Sequence, residues 1–168
     1  MKKEEFIKVL KKEGYSYEIE GDKILVTYQG SVHLGSLKTL PPGVEFRNGG
    51  GVGLRSLETL PPGVEFRNGG GVGLYSLKTL PPGVTFRNRG TVFLRSLKTI
   101  PSGVEFSNSE NVNLSALKTL PPGVEFMNGG SVYFGGILGG WLEEWEGNIE
   151  GVDGKRILNL MTNKGLFL

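Results

Sequence analysis

The sequence predicts a mainly β fold: a solenoid of five to six stacked 20-residue coils, with an α/β cap at the N-terminus and a short helical cap at the C-terminus. Three observations predict it. Apolar residues recur at a fixed interval of 20 residues, and each interval holds two short runs that alternate apolar and polar. Glycine and proline, 28 and 9 of the 168 residues, fall at fixed places within that interval. A period of this length marks a repeat architecture, and ordered placement of glycine and proline separates it from a disordered low-complexity chain.

Aligned on the period, Val32, Val52, Val72, Val92, Val112 and Val132 share one column. Leu34, Leu54, Leu74, Leu94, Leu114 and Phe134 follow two positions on, and Leu37 and Leu40 have counterparts in every later full coil. Each coil then reads Pro-Pro-Gly-Val-x-Phe-x-Asn, as in Pro41 to Asn48, with Ser102 replacing the second proline once. Five full coils run from Gly30 to Gly129, and a sixth fades after Phe134. Val32-x-Leu34 and Val44-x-Phe46 read as short strands with one buried face. Pro42-Gly43 suits the centre of a type II turn, proline fixing φ and glycine taking positive φ. One coil alone buries nothing; stacked coils place Leu on Leu and Phe46 on Phe66, about 4.8 Å apart.

The asparagine column (Asn48, Asn68, Asn88, Asn108, Asn128) reads as an internal ladder that satisfies backbone groups at a buried corner. A meander of antiparallel hairpins turning at Asn48-Gly49 is the rival architecture. Arg89 and Ser109 argue against it, because they replace the glycine that such a turn needs.

The Val-x-Leu-x-x-Leu-x-x-Leu-Pro-Pro-Gly-Val rhythm from Gly30 to Phe134 resembles the short leucine-rich repeats of bacterial effectors and of bacterial and phage proteins. That resemblance implies a right-handed, leucine-rich-repeat-like β-solenoid, and an effector or phage-type inhibitor of a cellular system. The chain departs from the usual pattern after the Leu-x-Leu strand, where Ser36, Ser56, Ser76, Ser96 and Ala116 stand near the place of the customary asparagine.

The ends define the flanks of the expected single domain: a cap over 1–29, repeats over 30–137 and a second cap over 138–168. Lys3 to Glu13 reads as an amphipathic helix with Phe6, Val9 and Leu10 on one face, stopped at Gly14. Tyr15, Tyr17 and Ile19, then Ile24, Val26 and Tyr28, alternate around a Gly21-Asp22 turn as a hairpin. Beyond Gly135-Gly136 come Trp141, Trp145, four glutamates between Glu143 and Glu150, and a short helix over 155–163. Both tryptophans seal the last coil or, in the sharper reading, one of them anchors a partner.

Little in the composition supports catalysis. There is no cysteine, one histidine (His33) and two aspartates (Asp22 and Asp153), so a nucleophilic triad or metal site would need glutamates almost alone. No cofactor and no metal are expected. His33 reads as an exposed strand residue. The column Glu45, Glu65, Glu105, Glu125 reads as a solvated ladder paired with Arg47, Arg67 and Arg87. Gly49-Gly50-Gly51-Val52-Gly53 matches neither a calcium repeat nor a phosphate loop, lacking the required aspartate and the Gly-Lys-Ser/Thr. A net charge of +2 fits neither a DNA-mimicking nor a strongly basic chain. No apolar run reaches signal-peptide or membrane-span length, so a cytoplasmic location without membrane contact is expected.

The outward positions vary while the inward template is held. One column reads His33, Gly53, Gly73, Phe93, Asn113, Tyr133; its neighbour reads Gly35, Arg55, Tyr75, Arg95, Ser115, Gly135. Arg55, Tyr75, Phe93, Arg95 and Tyr133, with Trp141 and Trp145, are the candidate contacts for a protein partner. The alternative for the outward columns is a surface free to drift. A second candidate function uses the stripe Lys38, Lys78, Lys98, Lys118, interrupted by Glu58, to hold a nucleic-acid backbone. A third is a glycan-binding or hydrolysing solenoid built on Trp141, Trp145, Glu143 and Glu144. A monomer or a weak end-to-end homodimer is expected. The leading expectation is a protein-binding module rather than an enzyme.

Overall fold

The computed structural model describes residues 1–118, 120–121 and 123–134. Within them lie one helix, α1 (Lys3–Lys12), and thirteen short strands. An antiparallel hairpin comes first, β1 (Tyr17–Glu20) and β2 (Lys23–Val26). Each coil then contributes one strand to each of two sheets. The strands are β3 (Val32–His33), β4 (Val44–Phe46), β5 (Val52–Gly53), β6 (Glu65–Phe66), β7 (Val72–Gly73), β8 (Thr85–Phe86), β9 (Val92–Phe93), β10 (Glu105–Phe106), β11 (Val112–Leu114), β12 (Glu125–Phe126) and β13 (Val132–Phe134).

Sheet A has the order β1-β2-β4-β6-β8-β10-β12, and sheet B the order β13-β11-β9-β7-β5-β3. Every pairing between coils is parallel and in register at 20 residues: Val52 opposite Val72, Phe46 opposite Phe66. Parallel pairing excludes the hairpin meander. Arg89 and Ser109 are tolerated because the corner they occupy does not use positive φ, which among the described residues is confined to glycine.

The pattern within one coil explains the two sheets. Val32 and Leu34 on one side, Val44 and Phe46 on the other, are buried and belong to one core that runs through all coils. Between the strands the chain turns at Pro42-Gly43 and its equivalents. Gly43, Gly63, Gly83, Gly103 and Gly123 have φ between 71 and 76°, as the type II turn demands. The phenylalanines form a continuous column: successive centroids from Phe46 to Phe126 lie 5.2–5.4 Å apart with planes within 6°. That separation exceeds the strand spacing, so the rings are offset, which their quadrupoles prefer.

The asparagine ladder takes the expected internal role. Asn48 Nδ2 donates to the carbonyls of Gly30, Gly50 and Gly51 at 3.0, 3.0 and 3.1 Å, tying its own corner to the coil before. Asn68 repeats the arrangement with Gly50, Gly70 and Gly71. Three converging carbonyls fix the amide orientation, since a flipped amide would present its oxygen to all of them. The buried Oδ1 atoms of Asn48, Asn68, Asn88 and Asn108 accept no hydrogen bond from the protein.

At the N-terminus, α1 sets Glu4 and Glu5 in its first turn and Lys11 and Lys12 in its last, the order its dipole favours. Gly14, at φ 74°, ends it. Phe6 and Leu10, four residues apart on one face, are fully buried and join the core. Strand β2 acts as an extra rung, with Ile24 and Val26 opposite Val44 and Phe46. Strand β1 differs from the alternating reading: Ile19 is 53% exposed. It lies on the edge strand, and among the described residues no further strand pairs beyond it.

Among the described residues no helix is long and apolar enough to cross a membrane. Trp141, Trp145, the glutamates from Glu143 to Glu150 and the expected helix over 155–163 lie outside the described residues.

Candidate binding surface

Sheet B sets its outward column through strict register. His33 stands opposite Gly53, Gly53 opposite Gly73, Gly73 opposite Phe93, Phe93 opposite Asn113 and Asn113 opposite Tyr133. The bend after each strand carries the second column. The structure brings four of the candidate residues together where these columns cross coils 2 to 4.

Tyr75 is the centre of this cluster. Its ring lies back over Gly73 so closely that a β-carbon there would stand 2.8 Å from a ring carbon. It also stacks on Phe93 of the next coil, centroids 5.6 Å apart and planes 27° from parallel. Arg55 from the coil before and Arg95 from the coil after place their guanidinium carbons 5.9 and 5.6 Å from the Tyr75 centroid, and Arg95 lies 5.3 Å from that of Phe93. These distances are within the range at which a ring face attracts a cation. Ser96 Oγ donates to the Tyr75 carbonyl at 2.6 Å, anchoring the bend that carries the ring. Both rings are half-buried and both arginines exposed.

The remaining candidates stand apart. Tyr133 is 42% exposed, but Asn113 separates it from Phe93. His33 is exposed, as expected, and its ring leans across Gly53, where an added β-carbon would meet Nδ1 at 3.3 Å. Trp141 and Trp145 fall outside the described residues.

In the lysine stripe, Lys38, Lys78, Lys98 and Lys118 are all exposed. Lys78 Nζ pairs with Glu58 Oε2 at 2.7 Å. That hydrogen bond, then the Lys78 charge, holds the Glu58 carboxyl below its ordinary pKa against a smaller opposing effect of burial, with Lys38 adding to the lowering. Among the described residues Lys38, Lys98 and Lys118 have no ion pair.

The outward face of sheet A corrects one expectation. Glu45 is not part of a solvated ladder; it is 2% exposed. Arg47 Nε lies 2.7 Å from its Oε1, Arg67 Nε 3.2 Å from the same oxygen, and Lys23 Nζ 3.8 Å from Oε2. Lys23 and Arg67 also reach Glu65, at 2.9 and 3.0 Å. The hydrogen bond from Lys23 is the main cause that lowers the Glu65 pKa; burial opposes it, and Arg67 adds to the lowering. The same bond raises Lys23, and the bond to Glu45 raises Arg47. The period alone concealed this network, because Lys23 enters from the hairpin rather than from a repeat.

Gly73 was also missed as a site residue. Its signal was present: a glycine at an outward strand position marks a place where another group approaches closely. Among the described residues no three histidine, aspartate or glutamate side chains converge as metal ligands would. Comparison with known protein families, with curated proteins and with solved structures finds no match for this chain.

Proposed function

We propose that this chain is a non-catalytic, cytoplasmic protein-binding module whose contact surface is the outward face of sheet B. The observation that carries the reading is the cluster of Tyr75 and Phe93 between Arg55 and Arg95. Tyrosine and arginine are the residue types enriched at binding hot spots. Here they are held in advance by a seat on Gly73 and by contacts from three successive coils, so little side-chain freedom remains to be lost on association. The finer reading is a right-handed, leucine-rich-repeat-like coil used as an effector or phage-encoded inhibitor of a host or defence protein. It rests on the repeat rhythm from Gly30 to Phe134.

An affinity capture from host lysate, read by mass spectrometry, tests the proposal. Wild type is compared with a Tyr75→Ala/Phe93→Ala/Arg95→Glu variant shown to be folded. A protein captured by wild type and lost by the variant supports the sheet B face. Equal capture by both removes the site from this face.

A further inference from the structure

The two outward faces treat their charges differently. On sheet A, Glu45 and Glu65 are in contact with Lys23, Arg47 and Arg67, and Arg87 lies 3.6 Å from Glu105. Over the first three coils the carboxylates and cations are matched within the protein. On sheet B, neither outward column holds an acidic residue in any coil from Ser31 to Phe134. Arg55 and Arg95 make no ion pair among the described residues; each leans on an aromatic ring instead. A guanidinium over a ring keeps its planar edge of donors available, and that edge matches a carboxylate bidentately.

We infer that the partner presents an acidic protein segment to this face, with carboxylates received by Arg55 and Arg95 and an apolar or aromatic side chain between them on Tyr75 and Phe93. This deepens the proposed protein-binding role and rests on it. Arg55 and Arg95 are two coils apart, roughly 10 Å along the axis at the usual strand spacing. The recognised pair of carboxylates therefore lies about that far apart, with room for one side chain over the rings. Charge complementarity of this kind fixes register and accelerates encounter. A nucleic-acid backbone fits less well. A phosphate chain along the neighbouring lysine stripe meets the like charge of Glu58, while Lys78 is already engaged by that carboxylate at 2.7 Å.

The test is fluorescence anisotropy with four fluorescein-labelled probes: a short peptide of alternating glutamate and tyrosine, its glutamine–tyrosine and lysine–tyrosine counterparts, and an oligothymidylate. Wild type is expected to bind the glutamate peptide at least about tenfold more tightly than any other probe. An Arg55→Gln/Arg95→Gln variant loses that preference, and an Arg55→Glu/Arg95→Glu variant exchanges it for a lysine–tyrosine peptide. Both arginines are exposed, so matching circular dichroism and denaturation midpoints are expected for the variants.

Equal affinity for the glutamate and glutamine peptides overturns the inference, as does tighter binding of the oligothymidylate or undiminished binding by the variants. Glutamate-peptide binding that emerges only after Glu143→Gln/Glu144→Gln/Glu146→Gln also overturns it, since the chain's own acidic segment is then the occupant. A capture partner lost on Tyr75→Ala/Phe93→Ala/Arg95→Glu without any acidic preference would retain the face and remove only the acidic partner.

Discussion

Sheet A and sheet B are built from the same period, yet their outward faces solve different problems. On sheet A the outward residue of the first coil, Glu45, is as buried as the core beneath it, and three cations gather over it. Its substituents are spent on the protein itself. On sheet B the corresponding column begins His33, Gly53, Gly73, Phe93, and the glycines leave room for side chains from neighbouring positions to lie flat. Tyr75 uses that room, and its flanking arginines remain turned to solvent. Over its first coils one face is internally neutralised. The other leaves its arginines without an ion pair among the described residues.

Stability and binding should separate cleanly between the faces. The common core sets the upper end of the scale. Phe86→Ala removes the middle ring of the stack under sheet A and should cost about 3–5 kcal/mol in chemical denaturation. Because every coil rests on its neighbours, the loss is expected to broaden the transition as well. Glu45→Ala comes next. It removes hydrogen bonds to charged partners and leaves Arg47, Arg67 and Lys23 crowded without their anion, but those cations are half-exposed and can rehydrate. A loss of about 2 kcal/mol is expected, with partner capture intact. A neutral effect on stability would break the comparison at its first term.

A pH series sharpens the same point. The folded pKa of Glu65 is depressed below its ordinary value of 4.5, chiefly by the hydrogen bond from Lys23. A depressed carboxylate contributes stability that is present above the unfolded pKa and lost as pH falls through the folded one. The denaturation midpoint should therefore fall on acidification below about pH 4.5, and Glu65→Gln should flatten that part of the curve. The cluster on sheet B contains no carboxylate, so Arg55→Gln/Arg95→Gln, which adds none, should leave the acid limb unchanged.

What was legible in the sequence follows from this division. The repeat, the two strands per coil, the turn at glycine and the asparagine ladder were readable because stacking in register imposes each on every full coil, with Ser102 the one departure at the turn's proline. The candidate cluster was readable in part, as departures from the template: Arg55, Tyr75, Phe93 and Arg95 stand out because their columns are otherwise small or polar. The burial of Glu45 was not readable. Its cations include Lys23, a residue outside the repeat, and Arg67, which reaches it from the next coil. Nor did the alternation of Tyr17 and Ile19 reveal which face of an edge strand has anything to pack against.

The smallest expected change in stability tests the cluster most directly. Arg55→Ala and Arg95→Ala should each alter stability by no more than about 0.5 kcal/mol, since both side chains are exposed and touch only the outer faces of rings. Gly73→Ala should also be nearly neutral, for a different reason. The methyl group lowers the conformational freedom of the unfolded chain, worth about 0.4–1 kcal/mol in favour of folding. It also drives the Tyr75 ring from its seat, because the β-carbon would lie 2.8 Å from that ring. The ring is held by a half-buried stack whose loss costs a comparable amount, about 0.5–1.5 kcal/mol. The two effects offset in denaturation but not in binding. With the ring displaced, Arg55 and Arg95 lose the surface that positions them, and partner affinity should fall although no charge and no contact residue has been removed. Ring-current shifts on the Arg95 side-chain protons would report the displacement. Unchanged shifts with unchanged affinity would mean that Gly73 is not the seat of the cluster, and the contrast between the two faces would then rest on charge alone.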